Sequence, residues 1–364
     1  MTREFYVGLM SGTSLDGVDA VLADLGDSKP RLIGDAHLAF DAALRRELLA
    51  LNAPGENEIE RAALAGNALA GKYAAAVAAV LAATRTPPAE VRAIGCHGQT
   101  VRHRPERGYT TQIGNPALLA ELTEICVVAD FRSRDVAAGG QGAPLAPAFH
   151  AAVFAHSAED RAAVNLGGIA NLSFLPHRGA VIGFDSGPGN CLLDLWASRH
   201  LGTPHDTGGN WAAGGQVIPA LLECMLQEPY FSAAPPKSTG RDLFNENWLR
   251  EKLRGGEESQ AVQATLLELT ARSLANAFAW HCAGAQRLIV CGGGAKNDAL
   301  LRRLAELTAP AALETSDRHG IDPQLVEAAA FAWLAKRALD GQTGNLPSVT
   351  GARVARVLGA IYPG

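Results

Sequence analysis

The stretch from Tyr6 to Leu22 constrains the fold of this chain more than any other. An apolar run, Phe5 to Met10, leads into a polar turn, Ser11 to Gly17, and apolar residues then alternate with other residues from Val18 onward. Two antiparallel strands joined by a glycine-containing turn produce this pattern. The sequence therefore predicts a β-hairpin here.

The turn of this hairpin is rich in groups that bind anions. Gly12 and Gly17 let backbone N–H groups approach a ligand closely, and the hydroxyls of Ser11, Thr13 and Ser14 add further donors. A polyphosphate is the simplest ligand for such a turn. The alternative is a hairpin with a hydrophilic tip and no ligand.

Two carboxylates, Asp16 and Asp19, accompany these donors. They would repel a phosphate directly, so their presence indicates either Mg²⁺ between carboxylate and phosphate or a carboxylate that faces a second substrate. Asp16 is the candidate metal ligand.

The same pattern returns in the second half of the chain. Ala163 to Leu175 again predicts strand, glycine turn and strand, with Gly167 and Gly168 in the turn. A chain of 364 residues also exceeds what one compact core usually supports. We expect two lobes, each opening with a glycine hairpin, that grip one nucleotide from both sides.

A third glycine turn follows a predicted strand, Arg287 to Cys291, and precedes a predicted helix. This turn consists of Gly292, Gly293, Gly294 and Ala295. A strand, a glycine run and a helix in succession suit close approach of a nucleotide to the backbone.

Polar side chains follow two of the predicted buried strands. His97 comes directly after Val91–Cys96, and Asp130 and Arg132 come after Ile125–Val128. Open α/β sheets bind ligands at the carboxyl ends of their strands. The alternatives are a surface turn at His97 and a solvated salt-bridge loop at Asp130 and Arg132.

Two further carboxylates are candidates for a site. Asp185 follows a predicted strand, Ala180–Phe184, and either points into a cleft for catalysis or caps the glycine-proline turn after it. Glu327 lies in a predicted helix, Pro323–Leu339, where the pattern favours an exposed position over one that faces a cleft.

Composition excludes several classes of function. The formal charge is −5 and no Lys/Arg block is present, which argues against nucleic acid and anionic membranes as partners. The six cysteines are scattered without metal-binding spacing. No apolar signal region follows Arg3 and Glu4, and the longest apolar stretch, Ala74 to Thr84, is short for a membrane span. We expect a cytoplasmic protein with small-molecule partners. The oligomeric state stays open, with a homodimer as one alternative.

Two phosphate hairpins and a GGGA turn together resemble the sugar kinase/Hsp70/actin superfamily. No G-x-x-x-x-G-K-[ST] loop or protein-kinase signature set is present. More closely, the chain resembles the anhydro-N-acetylmuramic acid kinase family along nearly its full length. The resemblance rests on seven blocks in order: Gly8–Asp19, Gly95–Thr100, Ala129–Arg132, Asn165–Asn171, Gly183–Asn190, Cys291–Ala295 and Val326–Phe331.

The resemblance implies a two-lobed α/β fold of the ribonuclease H-like type, with a mixed sheet in each lobe and a cleft between them. We expect residues 1–130 with 340–364 to form lobe I, which carries the first hairpin and a wall of the sugar pocket. Residues 131–339 would form lobe II, with the second hairpin, Asp185 and the adenosine turn. Hinges are expected near Asp130 and Glu327.

The implied activity is that of an ATP-dependent transferase of peptidoglycan recycling and amino-sugar catabolism. ATP, water and 1,6-anhydro-N-acetylmuramic acid would give N-acetylmuramic acid 6-phosphate and ADP. Because O6 is tied into the anhydro bridge, water must attack C1 while O6 turns toward the γ-phosphate. The resemblance assigns deprotonation of that water to Asp185.

The resemblance also implies the remaining site residues. ATP and Mg²⁺ would be the nucleotide and metal, and Arg132 would bind the lactyl carboxylate of the sugar through two bonds. The expected sugar contacts are His97, Asp130, Arg132 and Glu327. The expected nucleotide contacts are Gly12, Thr13, Ser14, Leu15, Asp16, Gly17, Val18, Asp19, Gly167, Gly168, Gly292, Gly293, Gly294 and Ala295.

Two rival functions share the pattern. In a plain hydroxyl-sugar kinase of the same fold, Asp185 would deprotonate the acceptor hydroxyl. In an ATP-switched binding protein like Hsp70 or actin, hydrolysis would drive only a change of shape. The mass of the product distinguishes the anhydro route from a plain sugar kinase, because only the anhydro route adds water as well as a phosphoryl group. A screen for phosphorylated acceptors distinguishes a kinase from an ATP-switched binding protein.

Overall fold

The computed structural model describes residues 3–12, 15–27, 29–241 and 243–364. The chain forms two compact units, Met1–Phe149 with Leu325–Gly364, and His150–Gln324. The observed division differs from the expected one, because residues 131–149 and 325–339 pack with the first unit.

The strands and helices alternate in the order of an α/β protein. The strands are β1 Phe5–Met10, β2 Gly17–Asp24, β3 Arg31–Ala39, β4 Val91–Cys96, β5 Gln99–Arg104, β6 Tyr109–Ile113, β7 Val127–Ala129, β8 Arg161–Leu166, β9 Ile169–Leu175, β10 Ile182–Pro188, β11 Arg287–Cys291, β12 Ala312–Thr315 and β13 Ala360–Tyr362. The α-helices are α1 Ala42–Ala50, α2 Glu58–Thr84, α3 Pro116–Thr123, α4 Ser133–Ala137, α5 Ala146–Phe154, α6 Cys191–Leu201, α7 Asn210–Ala213, α8 Pro219–Leu226, α9 Pro229–Ser232, α10 Glu246–Lys252, α11 Ser259–His281, α12 Asp298–Thr308, α13 Val326–Leu339 and α14 Pro347–Thr350.

The sheet of the first unit has the strand order β13-β7-β4-β1-β2-β3. Strands β1 and β2 are antiparallel neighbours, which confirms the predicted hairpin, and β4 runs parallel to β1. Every residue of β1 is buried, as expected for a central strand covered on both faces. A separate antiparallel ribbon, β5 with β6, follows His97 and was not among the predicted elements.

Two glycines allow helix α13 to lie directly on this sheet. Gly8 and Gly95 are cross-strand partners on β1 and β4. A Cβ on Gly8 would lie 1.8 Å from the Ala328 carbonyl oxygen, and one on Gly95 would lie 1.9 Å from that of Phe331. The helix backbone therefore occupies the space that two side chains would need, and this close approach fixes α13 over the ends of both strands.

Helix α2 is long and apolar enough, by length and composition, to cross a membrane. Half of its most apolar window is buried inside the protein, where Leu69, Tyr73 and Val80 join the core of the first unit. A core helix passes the same test as a membrane span, so the finding is weak evidence for one.

The second unit repeats the strand order of the first. Its sheet runs β10-β9-β8-β11-β12, with β9 antiparallel to β8 and β10, and with β11 and β12 parallel to β8. In each unit the first strand of the sheet, β1 or β8, forms a hairpin with the next strand and lies beside the fourth strand of that sheet in chain order, β4 or β11. Helices follow the hairpin in both units. The predicted α/β class, with a mixed sheet in each half of the chain, is confirmed.

Strand β10 is longer than predicted and places Asp185 in its interior. The pairing of β10 with β9 shifts between Asp185 and Gly187, so Ser186 is an extra residue in the ladder. Such a bulge bends a strand and changes where its side chains point. The prediction that Asp185 lies at a strand end was therefore wrong by a few residues.

Candidate functional site

The described part of the first hairpin tip is held by polar side chains of the same unit. The Ser11 hydroxyl lies 2.7 Å from the Tyr73 hydroxyl and donates to the Gly98 carbonyl oxygen at 3.1 Å. The Gly12 carbonyl oxygen accepts from Gln99 Nε2 at 3.2 Å. These bonds join the tip to the segment after β4. The expected contacts Thr13 and Ser14 lie outside the described residues.

Leu15 shows that the tip has an unusual backbone. Its φ is +56°, although its side chain is buried. A bulky residue in the left-handed region is costly and is found where surrounding structure enforces it, frequently at ligand sites. Val18 is also fully buried, so Leu15 and Val18 can offer a ligand only their backbones.

The carboxylates of the hairpin differ in their surroundings. Asp16 is exposed. Asp19 pairs across β2 and β3 with His37, and the distance from Asp19 Oδ1 to His37 Nδ1 is 2.8 Å. Burial raises the pKa of Asp19, against the opposing effect of His37. Gly17 has no room for a side chain, because a Cβ would lie 2.4 Å from the Leu38 carbonyl oxygen.

A metal site built from protein side chains alone is absent from the described residues, which contain no group of three or more His, Cys, Asp or Glu able to hold an ion. Mg²⁺ in phosphoryl-transfer sites commonly takes only one or two carboxylates and completes its shell with phosphates and water. The exposed Asp16 fits that donor set.

His97 and Arg132, two of the expected sugar contacts, are in direct contact. Arg132 Nε donates to His97 Nε2 at 3.0 Å. Burial, together with the Arg132 guanidinium, lowers the pKa of His97 from 6.5 to about 3. The imidazole is therefore neutral near pH 7, and Phe331 of α13 packs on it with ring centroids 4.7 Å apart.

Arg132 is also tied to a buried carboxylate, Asp135, which was not among the predicted site residues. Arg132 Nη1 donates to the Gly142 carbonyl oxygen at 2.7 Å, and the Gly142 N–H donates to Asp135 Oδ2 at 2.8 Å. Asp135 Oδ1 accepts from Asn345 Nδ2 and Thr350 Oγ1 at 2.5 and 2.7 Å. Asp135 thus holds the loop that orients Arg132. A carboxylate three residues after an arginine gives no sequence signal for that role.

Asp130 and Glu327, the other expected sugar contacts, lie on neighbouring elements of the same unit. Asp130 is exposed, has a φ of +57° and accepts from the Ser133 hydroxyl at 2.5 Å. Glu327 is half-buried in the first turn of α13, one turn before Phe331. The left-handed region is uncommon outside glycine, although aspartate tolerates it better than most residues.

In the second unit the tip of the β8–β9 hairpin is bonded to the start of α6. The Gly168 carbonyl oxygen accepts from the Gly189 and Cys191 N–H groups, each at 3.0 Å, and that of Gly167 accepts from the Asn190 N–H at 2.9 Å. A Cβ on Gly189 would lie 2.4 Å from the Gly167 carbonyl oxygen. The tip is thereby fixed beside a helix N-terminus, which favours negative charge.

The Gly292–Ala295 turn packs against the same hairpin. A Cβ on Gly292, whose φ is +82°, would lie 2.3 Å from Asn165 Oδ1, and one on Gly294 would lie 2.6 Å from Leu166 Cβ. The two expected nucleotide turns of this unit are therefore neighbours. Glycine is required because the backbones meet without space for side chains.

Asp185 is buried and is held by a segment outside its own sheet. Asp185 Oδ2 accepts from the Thr239 N–H at 3.0 Å, and the Asp185 carbonyl oxygen accepts from the Tyr230 hydroxyl at 2.7 Å. The Asp185 N–H donates to the Lys237 carbonyl oxygen at 3.3 Å. Tyr230, Lys237 and Thr239 lie far from Asp185 along the chain and belong to no recognisable motif, so the sequence does not predict these contacts.

Comparison with known proteins identifies the family. A family model described as anhydro-N-acetylmuramic acid kinase matches residues 4–364. A protein of that name from Variovorax paradoxus is 56% identical and covers 100% of both chains. Another from Thiobacillus denitrificans is 56% identical over 99% of this chain and 97% of its own.

Among solved structures, an activator of the 2-hydroxyisocaproyl-CoA dehydratase from Clostridium difficile with bound ADPNP aligns with a TM-score of 0.47 at 12% identity. The alignment covers 92% of this chain and 97% of the other. The full-length sequence matches are decisive: the chain belongs to the anhydro-N-acetylmuramic acid kinase family.

Proposed function

We propose that the protein opens the 1,6-anhydro ring of anhydro-N-acetylmuramic acid with water and transfers the γ-phosphoryl group of ATP to O6. The products are N-acetylmuramic acid 6-phosphate and ADP. Identity of 56% over the full length to relatives named for this kinase carries the proposal. Neither a plain sugar kinase nor an ATP-driven switch protein is favoured by such relatives.

Asp185 is the proposed general base. It takes a proton from water as the water oxygen bonds to C1, the C1–O6 bond breaks, and O6 bonds to the γ-phosphorus while ADP leaves. A base in this role must be ionised. The Thr239 N–H bond and the nearby Lys237 charge both favour the ionised form of the carboxyl group.

The glycine turns are the proposed nucleotide contacts. Gly12 to Asp19 of the first unit and Gly167 and Gly168 of the second would bind the phosphates. Gly292 to Ala295 would bind the adenosine. The constrained backbones at Leu15, Gly189 and Gly292 support this assignment, because they leave main-chain groups where side chains would otherwise stand. Mg²⁺, when bound, would neutralise charge on the phosphates, with Asp16 as its protein ligand.

His97, Asp130, Arg132 and Glu327 are the proposed sugar contacts. The best supported is Arg132, because its Nε and Nη1 are already directed by His97 and Gly142. A guanidinium in a fixed orientation suits the lactyl carboxylate of the substrate. We further propose a cytoplasmic location with neither nucleic acid nor membrane as a partner, as the composition indicates; a homodimer remains one alternative.

Asp185→Asn tests the proposal. We expect ATP binding to stay within a few-fold of wild type while turnover falls by about 10³-fold or more, because the amide cannot accept the proton. The assay incubates the enzyme with the anhydro sugar and ATP and measures the mass of the product by mass spectrometry. A product that has gained phosphoryl without water would contradict the anhydro route, and a D185N variant with near-normal turnover would remove Asp185 from the role of base.

A further inference from the structure

The segment Pro229–Arg241 contacts Asp185 on β10, the edge strand of its sheet, without being part of that sheet. Three hydrogen bonds join it to Asp185. The Tyr230 hydroxyl donates to the Asp185 carbonyl oxygen, and the Asp185 N–H donates to the Lys237 carbonyl oxygen. The Thr239 N–H donates to the Asp185 carboxylate. Two of these bonds fix the backbone of Asp185 and the third fixes its side chain. The segment therefore controls the position of the carboxylate.

The side chain of Lys237 closes this segment on itself. Its ammonium donates to the carbonyl oxygens of Tyr230 and Phe231 at 2.9 and 3.2 Å. It also lies 4.7 Å from the centroid of the Tyr230 ring and 5.6 Å from that of Phe184, which precedes Asp185 in β10. One charged group thus joins both ends of the segment to the strand that carries Asp185.

Aromatic packing anchors the other side of the segment. Phe231 stacks on Phe244 with centroids 5.6 Å apart, and the Phe231 ring fills the space where Gly187 lacks a side chain, since a Cβ there would lie 2.6 Å from it. The glycine at the bulge after Asp185 is thereby explained. With the aromatic end anchored, loss of the ammonium would release mainly residues 237–239.

We propose that Lys237 is a positioning residue, whose ammonium holds the segment so that the Thr239 N–H meets the Asp185 carboxylate and keeps it ionised in one orientation. This inference rests on the proposed role of Asp185 as the base. Burial lowers the pKa of Lys237, against the opposing effect of the Asp185 carboxylate. Besides Tyr230, His281 of α11 also faces Lys237; it packs on Phe184, and its pKa is lowered by burial and by Lys237.

The test is the pH profile of kcat/KM for the anhydro sugar in Lys237→Met. Removal of a neighbouring cation and of an ordered N–H donor should move the acid limb upward by about one pH unit. Misplacement of the base should lower kcat by about 10- to 100-fold, with KM for ATP within about two-fold of wild type. Lys237→Arg should restore part of kcat.

Lys252 provides a matched control. It is also half-buried and lies 5.3 Å from an aromatic centroid, that of Trp248, but its ion pair is with Glu228. Lys252→Met should leave the acid limb unmoved. If K237M does not fold, Lys237→Gln, which keeps an N–H donor without the charge, is measured instead and should shift the acid limb in the same direction.

An unshifted acid limb in folded K237M or K237Q, whether kcat is normal or uniformly reduced, would overturn the inference. The failure of this inference is distinguishable from failure of the proposed function. In the first case D185N is inactive and the Lys237 variants titrate like wild type; in the second, D185N itself remains active.

Discussion

His97 illustrates how burial limits what a side chain can do. With its pKa lowered to about 3, the ring carries no charge near neutral pH, and its Nε2 accepts from Arg132. The remaining ring proton therefore lies on Nδ1. We expect His97 to orient Arg132 in the proposed sugar pocket, with proton transfer left to Asp185.

A second buried histidine makes the protein sensitive to acid. Burial lowers the pKa of His150 from 6.5 to about 4. The unfolded chain therefore binds a proton at this position below about pH 6.5, whereas the folded chain does not until about pH 4. This contribution to stability is present above pH 6.5 and decreases as the pH falls.

The prediction for His150→Gln is a weaker dependence of stability on pH. As the pH falls from 6.5 to 4, His150 should lower the free energy of unfolding of the wild-type protein by up to about 1.4 kcal/mol per pH unit. The variant will be less stable at pH 7, because it loses the contact with Ser173 Oγ at 2.9 Å. Urea unfolding at pH 7, 6 and 5 measures both effects, and parallel curves for the two proteins would refute the assignment.

Helix α13 is the element that most depends on glycine. Its backbone lies on β1 and β4 where Gly8 and Gly95 lack side chains, and this position brings Phe331 onto His97. Packing of the helix and geometry of the proposed sugar pocket are therefore coupled. A change at either glycine should affect both.

Gly95→Ala should lower the free energy of unfolding by about 3 kcal/mol, because the new methyl group would overlap the Phe331 carbonyl and displace the helix. Gly71 of α2 is the control: it is exposed, and a Cβ there would have no neighbour within 4 Å. Gly71→Ala should instead stabilise by about 0.5–1 kcal/mol through helix propensity. Denaturant unfolding compares them, and equal effects would contradict the packing argument.

The sequence predicted elements well where periodicity or glycine turns mark them. The bounds of β4 and β11 agree with the prediction, and both hairpins are where their glycine turns indicate. It failed where tertiary contacts decide. The bulge at Ser186 depends on Phe231 packing over Gly187, and the role of Asp135 depends on Asn345 and Thr350, which lie far along the chain.

At the scale of the whole molecule, the two units differ in how the chain builds them. The second unit is one continuous stretch, His150–Gln324. The first needs α13, whose residues Val326, Ala328 and Phe331 are buried, and β13, which pairs with β7. Both come from the last forty residues of the chain.

A fragment spanning 150–324 should therefore fold alone, with one cooperative thermal transition, because its sheet and its core are complete. A fragment spanning 1–149 should not, because β1 and β4 would expose the apolar face that α13 covers. Circular dichroism during heating distinguishes the two. A cooperative transition in the fragment 1–149 would show that α13 is dispensable.

The late position of α13 and β13 has a consequence during synthesis. A ribosome translating this message will have released the complete second unit while the first still lacks the helix over Gly8 and Gly95. The nascent first unit must then keep an apolar sheet surface from aggregating until the codons for α13 and β13 have been read.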